Sequence, residues 1–278
     1  MPARMAKCLP PSSANAWKLN TLRSASGRIG HAWRVGWWRQ ITEALDKARF
    51  LVLVMTPAAM QSTISRKEWR YARQQGLCVY PVKGVADTEF DWANMPRWMS
   101  KAHFFDLDRE WDTFINHLKS PCQAVRVPFM APDLPEGFVE RPALFEQLMG
   151  QLLDTKRENP VAITTSLHGA GGLGKTTLAA ALCHHDDVLT AFDDGVLWIT
   201  LGQTPQIQAG LAKLYAALTG EYPGFIDEED AAFHLAQKLE DKSCLIVLDD
   251  VWDAAHLQLF LRGASYCTRL ITTRNFDI

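Results

Sequence analysis

Ser166-Leu167-His168-Gly169-Ala170-Gly171-Gly172-Leu173-Gly174-Lys175-Thr176-Thr177 is the stretch on which the fold of this 278-residue chain turns. Gly169, Gly174, Lys175 and Thr176 fill every fixed position of G-x-x-x-x-G-K-[ST], the Walker A pattern. At average residue usage such a match arises by chance about once in a hundred chains of this length. Before it, Val161-Ala162-Ile163-Thr164-Thr165 reads as a buried strand; after it, Leu178-Ala179-Ala180-Ala181-Leu182 reads as a helix. That strand–loop–helix context gives the pattern a physical meaning. The glycines at 169, 171, 172 and 174, with Leu173 among them, let the backbone curl and aim successive N–H groups at phosphate oxygens. A helix opening near Lys175 adds its positive end and unsatisfied N–H groups. Lys175 is expected to reach the β- and γ-phosphates, and the Thr176 hydroxyl to sit on Mg²⁺.

Downstream, Val196 to Leu201 reads as the next strand, followed by helices over 207–218 and 228–239. Then comes Cys244-Leu245-Ile246-Val247-Leu248-Asp249-Asp250-Val251-Trp252-Asp253, an apolar strand ending in two aspartates (Walker B). Carboxylates at the C-terminal end of a parallel strand stand beside the phosphate loop. Asp249 is therefore expected to hold Mg²⁺, directly or through water, and Asp250 to orient an attacking water as a candidate catalytic residue. Leu270-Ile271-Thr272-Thr273 reads as a further strand that delivers Arg274 to the same edge, where a guanidinium can sense a γ-phosphate. Upstream, a helix over 143–153 sets Leu144, Leu148 and Leu152 along one face.

Five prolines between Pro121 and Pro142 exclude helix interiors and central strands, which predicts an extended linker over 121–137. The preceding segment alternates helix and buried strand. Ile41, Ala44, Leu45 and Ala48 carry a helix; Phe50–Met55 and Leu77–Val82 read as strands; 65–75 reads as a helix. His103–Asp106 reads as another strand and 110–118 as a closing helix, so this half too predicts a parallel α/β sheet. Met1 to Thr42 holds seven Lys or Arg and no acid. An acid-poor, Ser-rich start can be a transit peptide; a poorly ordered leader over 1–36 is the plainer expectation.

Composition bounds the rest. With 47% apolar and 22% charged residues the chain can build real cores, and a net charge of −2 argues against a dedicated nucleic-acid binder. No apolar run approaches the length of a membrane span. Six scattered cysteines without a C-x-x-C pair predict a reduced, cytoplasmic protein. His184-His185-Asp186-Asp187 reads as a helix C-terminus rather than a metal cluster, because adjacent helical histidines point about 100° apart. Trp69, Trp198 and Trp252 are expected core anchors, and Trp37-Trp38 part of the leader rather than a nucleic-acid stacking platform.

Two resemblances sharpen these expectations. Gly169–Thr177, Leu248-Asp249-Asp250-Val251-Trp252 and Thr272-Thr273-Arg274 closely resemble the NB-ARC module of plant disease-resistance receptors, apoptosome scaffolds and their bacterial relatives. The resemblance covers 138–278 and implies ADP or ATP with Mg²⁺. It places Val139 and Arg141 at the adenine end, Thr177 on the α-phosphate and Arg274 as first sensor; Glu140 stands where the family usually has Gly. It further implies homo-oligomerisation and a slow ATPase at most. The helix with Ala44-Leu45, the strand Phe50–Met55, Ser65-x-x-Glu68-Trp69 and the strand Val79-Tyr80-Pro81-Val82 resemble the second half of a TIR domain, over 37–120. In TIR domains that cleave NAD⁺ the glutamate of that helix is catalytic, which points to Glu68. Taken without the family, a lone carboxylate there reads as a solvated residue. Met1–Trp38 offers no apolar strand like Phe50–Met55, so the first half of a TIR domain is expected to be missing. The chain ends just beyond Arg274, without the family's later lobes, and reads as a fragment at both ends.

The predicted fold is thus α/β with two parallel-sheet domains, an incomplete flavodoxin-like TIR half and a P-loop NTPase core. The expected role is a signalling switch that couples adenine nucleotide to a TIR effector. A TIR-type NAD⁺ hydrolase regulated by the nucleotide domain is the alternative. A P-loop kinase is disfavoured, because no stretch reads as a phosphoryl-acceptor pocket or lid.

Overall fold

The structure is a computed structural model and describes residues 7–8, 31–90, 92, 95–124, 126–138, 142–154, 161–163 and 174–274. The chain divides into two compact units, Met1–Val127 and Pro128–Ile278.

In the first unit, β1 (Lys7–Cys8) precedes α1 (His31–Asp46), which begins inside the stretch read as leader. An uninterrupted apolar run then makes β2 (Phe50–Met55), the extent the sequence predicts. The next helical region is two helices, not one. Thr56 accepts a hydrogen bond from the Ala59 amide and Pro57 takes the first turn of α2 (Pro57–Gln61), where its missing N–H costs nothing. Ser62 then caps α3 (Thr63–Gln74) through the Ser65 amide. β3 (Cys78–Lys83), α4 (Arg97–Ser100) and α5 (Trp111–Lys119) complete the unit. β2 and β3 pair in parallel from Phe50–Cys78 to Met55–Lys83, and β1 pairs antiparallel on the other edge of β2. The strand expected at 103–106 is reduced to one parallel bridge between Phe105 and Val82.

The period-2 pleat of β2 sorts the core. Leu51, Leu53 and Met55 pack with Ile41, Leu45, Trp69 and Ala72 from α1 and α3. Phe50 joins Val82, Phe105 and the α5 residues Phe114 and Leu118. Trp37 and Trp38 pack against the first of these clusters, Trp38 edge-on to Tyr71, so they belong to this core and not to a loose leader. Cys78 and Cys122 are joined in a disulfide, against the expectation that every cysteine is reduced. They lie 44 residues apart, one at the start of β3 and the other in the proline-rich stretch, a proximity that sequence spacing does not reveal.

The second unit begins with residues that pair although they lie in the stretch read as linker. The Val196 amide donates to the Pro128 carbonyl and the Met130 amide to the Val196 carbonyl, so 128–130 run parallel beside a strand edge. Gly195 makes that approach possible: with φ +123°, a Cβ there would stand 2.5 Å from the Pro128 carbonyl oxygen. In order follow α6 (Pro142–Leu153), β4 (Val161–Ile163), α7 (Lys175–His184), α8 (Asp186–Ala191) and β5 (Gly195–Gly202). Then come α9 (Ile207–Thr219), α10 (Glu228–Leu239), β6 (Cys244–Val251) and β7 (Thr268–Thr273). Asp227 caps α10 through the Asp230 amide, and three acids occupy its first turn, as the helix dipole favours.

These strands form one sheet in the order β4-β7-β6-β5, every pair parallel. Helices cover both faces, so β6 is apolar throughout its first five residues. Leu245 and Val247 pack toward α6, α7 and α8, whereas Ile246 and Leu248 pack toward α9 and α10. On α6 the buried residues are Phe145, Leu148, Met149 and Leu152; Leu144, expected on that face, is 38% exposed because the face lies one residue further along. Among the described residues no helix is long and apolar enough to cross a membrane.

Candidate functional site

Four parallel strands bring their carboxyl ends to one edge of the second unit's sheet, and the polar residues of the sequence converge there. β4 leads toward the phosphate loop. Most of that loop, Gly169 to Leu173, lies outside the described residues, as do Val139 and Arg141. The loop's last residue, Gly174, is described. Its φ of +77° is a left-handed cap on α7 with nothing within 4 Å of where a Cβ would stand, so conformation and not space demands glycine. Lys175 is the first residue of α7, with Thr176 and Thr177 in the same turn. These are the positions where free amides and the helix dipole favour an anion.

Thr176 closes the site. Its hydroxyl donates to Asp249 Oδ1 at 2.8 Å, joining the start of α7 to the end of β6 across 73 residues of sequence. Asp249 is only 3% exposed, and two further hydroxyls complete its coordination. Thr272 Oγ1 donates to the same oxygen at 2.6 Å, and Thr200 Oγ1 donates to Oδ2 at 3.3 Å. The Trp198 indole N–H donates to Thr200 Oγ1 at 3.4 Å, which leaves the Thr200 proton for the carboxylate. A buried carboxylate needs such donors, because an unsatisfied charge inside a protein is costly.

The next residue turns away. Asp250 has φ +54°, a conformation that aspartate tolerates better than most residues, and its amide donates to Thr272 Oγ1 at 2.9 Å. The β6–β7 register slips between Leu248 and Val251, so the ladder breaks where the two aspartates stand and re-aims their side chains. Asp250 Oδ1 lies 3.4 Å from Arg274 Nε, and the Arg274 guanidinium sits 5.6 Å from the Trp252 ring centre. Trp252 is thus no core anchor: at 36% exposed it forms a shelf for Arg274. Trp69 and Trp198 are buried as expected.

Thr200 and Thr272 are not among the site residues that the sequence predicts, although Thr272 opens the Thr-Thr-Arg motif. Their signal is positional, a hydroxyl near the carboxyl end of an otherwise apolar strand, and it acquires meaning only with the register, in which Thr200 pairs directly with Asp249. The donor set suits Mg²⁺: a threonine hydroxyl and a carboxylate are hard oxygen ligands, and Mg²⁺ takes one or two such groups along with phosphate and water. Among the described residues no group of three His, Cys, Asp or Glu could hold a metal unaided. His184 ends α7 and its ring nitrogen meets the Pro132 carbonyl at 3.0 Å, while His185 caps α8 through the Asp187 amide. Both histidines therefore have structural roles at helix ends.

In the first unit, Glu68 is not the solvated residue expected from its sequence context. It lies within α3, 7% exposed beside the fully buried Trp69, and burial pushes its carboxyl up to about 7.

Comparison with known proteins agrees with this geometry. Residues 141–278 match the NB-ARC domain. The chain is 35% identical over 109 residues to the disease resistance protein RPP8 of Arabidopsis thaliana, covering 38% of this chain and 12% of that protein. Apoptotic protease-activating factor 1 of Danio rerio is 27% identical over 174 residues, 59% of this chain and 13% of its own length. The regulatory protein AfsR of Streptomyces griseus is 27% identical over 162 residues, 56% of this chain and 16% of its own. The chain therefore spans a small part of each of these relatives. With the phosphate-loop helix, the buried aspartate and the sheet-edge arginine gathered on one rim, residues 141–278 are an NB-ARC domain, a nucleotide-binding signalling module of the STAND NTPase class.

Proposed function

We propose that this chain is an ADP/ATP-dependent signalling switch in which the NB-ARC domain governs a TIR-type effector over residues 37–120. One contact carries the nucleotide half: Thr176 donating to Asp249 at 2.8 Å. That hydroxyl and carboxylate would hold Mg²⁺, whose chemistry is to neutralise charge on the β- and γ-phosphate oxygens. Gly169, Gly171, Gly172, Leu173 and Gly174 offer backbone amides, Lys175 binds the terminal phosphates and Thr177 the α-phosphate. Val139 and Arg141 meet the adenine end. Asp250 orients water for a slow hydrolysis, and Arg274 reads the γ-phosphate. ATP differs from ADP by contacts to Lys175 and Arg274, and only such differential contact can bias two conformations. Oligomerisation through NB-ARC and TIR surfaces would then bring effectors together, in the cytoplasm.

Isothermal titration of the full chain with ADP and with ATP, each with Mg²⁺, tests the switch. Lys175→Ala is expected to lose tight binding with an unchanged circular dichroism spectrum. Wild-type affinity in that variant would refute the assignment.

Glu68 supports a second reading, NAD⁺ cleavage by the first unit. A carboxyl held near neutrality by burial suits proton transfer, and it stands where NAD⁺-cleaving TIR domains carry their glutamate. Nicotinamide release from NAD⁺ that disappears in Glu68→Ala supports this activity, and no release by the wild-type chain removes it.

A further inference from the structure

At the other end of the strands that carry Asp249 and Arg274 stands a pair of thiols with no part in nucleotide chemistry. Cys244 opens β6 and Cys267 immediately precedes β7. The register pairs Leu245 with Thr268, so the two cysteines stand one step back, side by side on neighbouring parallel strands. Such strands run about 4.8 Å apart, within the roughly 4.4–6.8 Å between Cα atoms that a disulfide spans. The two thiols are close enough to shift each other's ionisation. Cys244 Sγ also lies 3.4 Å from the Asp194 carbonyl, and Cys267 Sγ lies 3.2 Å from the Lys242 carbonyl. Cys244 is fully buried, whereas Cys267 is partly exposed.

We propose that Cys244 and Cys267 form an oxidant-responsive dithiol site, with Cys267 the thiol attacked by a peroxide and Cys244 the thiol that resolves it. In the first step the Cys267 thiolate attacks one peroxide oxygen. The O–O bond breaks, hydroxide leaves and takes up a proton as water, and Cys267 becomes a sulfenic acid. In the second step Cys244 sulfur attacks Cys267 sulfur, the S–O bond breaks and a second water leaves with the Cys244 proton. Two thiols and one peroxide thus give one disulfide and two waters.

The surroundings divide the two roles. The neighbouring Cys244 lowers the Cys267 pKa, and the Arg269 guanidinium lowers it further, against opposing burial and the Asp194 charge. The neighbouring Cys267 and deep burial raise the Cys244 pKa well above the ordinary thiol range. Cys183 differs: it is buried within α7, and burial alone raises its pKa. A bond between Cys244 and Cys267 would tie β6 to β7 at their amino ends, fixing the register of the two strands whose far ends carry the aspartates and Arg274.

The full chain is treated with hydrogen peroxide, free thiols are alkylated, and the protein is digested without reductant for mass spectrometry. A peptide pair joined through Cys244 and Cys267, two hydrogens lighter than the sum of its parts and separated by dithiothreitol, is the expected product. In Cys244→Ala, Cys267 is expected to accumulate as a sulfenic acid trapped by dimedone. In Cys267→Ala, Cys244 is expected to stay unoxidised at peroxide doses that fully convert the wild-type pair. Recovery of wild-type Cys244 and Cys267 as separate alkylated peptides after peroxide overturns the proposal, as does oxidation of Cys244 in Cys267→Ala at the wild-type rate. The wild-type peptide map decides the matter even if a variant folds poorly.

Discussion

Replacing Thr272 by valine removes one hydroxyl that serves two partners, a buried carboxylate and a half-buried amide. Its proton goes to Asp249 Oδ1 at 2.6 Å, and its lone pair receives the Asp250 amide at 2.9 Å. A hydrogen bond to a charged group contributes roughly 1.5–3 kcal/mol, and a buried donor left without an acceptor costs roughly 1–3 kcal/mol. The lower halves of those ranges put the loss at about 3 kcal/mol. The second unit holds about 150 residues, for which each kcal/mol moves Tm by roughly 2–4 °C. Thr272→Val should therefore lower the melting temperature of that unit by roughly 6–12 °C in nucleotide-free protein. Thr200→Val is the internal control, because its contact to Oδ2 is longer, 3.3 Å, and should cost about 1 kcal/mol. Differential scanning calorimetry of both variants reads the two effects. A Thr272→Val transition within about 2 °C of wild type, or a larger loss in Thr200→Val, would refute the view that Thr272 anchors the aspartate.

Other consequences concern separate parts of the chain. Glu68 has a folded pKa of about 7 against an ordinary 4.5, so its protonated form stabilises the fold fully below pH 4.5 and that benefit is lost as pH rises through 7. The first unit should lose about 3 kcal/mol between those limits, and Glu68→Gln should flatten the profile in urea unfolding at pH 5 and pH 8. The Cys78–Cys122 bond closes a 44-residue loop, worth about 4 kcal/mol by chain entropy; Cys122→Ser should lower the denaturant midpoint of the first unit, and reductant should bring wild type to the same value. Arg274→Ala should leave Tm nearly unchanged, since its ion pair is half exposed, yet reduce the preference for ATP over ADP by about fivefold in titration calorimetry.

Legibility in the sequence followed the range of the forces involved. β2 is read with its observed limits because six apolar residues in a row, ended by Thr56-Pro57, are a local signal. α10 is read equally well because its cap, acidic first turn and apolar stripe agree. Thr56-Pro57 ends the strand as read, but the short helix α2 that Pro57 opens is not read, because it depends on the Thr56 side-chain cap. Leu144 misled because a leucine spacing of four fits two adjacent faces of a helix, and only the sheet beneath selects the one with Phe145 and Met149. The disulfide and the hydroxyl cluster around Asp249 were hidden for one reason. Each joins residues tens of positions apart, and neither cysteine spacing nor an isolated Thr200 or Thr272 carries register. That Thr176 meets Asp249, and Arg274 the adjoining Asp250, could be expected without register because the phosphate-loop and strand-end patterns name those positions locally.

The hold on Arg274 sets a limit on what that residue can do in the proposed switch. Its ion pair with Asp250 is solvent-exposed, which makes it worth roughly 0–1 kcal/mol, and its contact with Trp252 adds roughly 0.5–1 kcal/mol. A charge-assisted hydrogen bond to a phosphate oxygen is worth roughly 1.5–3 kcal/mol. A γ-phosphate at this edge therefore wins the arginine from Asp250 and Trp252, but by a net margin of about 1 kcal/mol. Turning a two-state equilibrium from nearly all one form to nearly all the other takes about 5.5 kcal/mol of differential binding. Arg274 can supply only a fraction of that. The remainder must come from groups that meet the terminal phosphate and its cation, and Lys175, Thr176 and the thrice-bonded Asp249 are the ones this rim provides. In the proposed switch the firm hold on Asp249 and the loose tether of Arg274 would divide the labour: one side of the site would stay fixed to define where the phosphates lie, and the other would move cheaply when a third phosphate arrives.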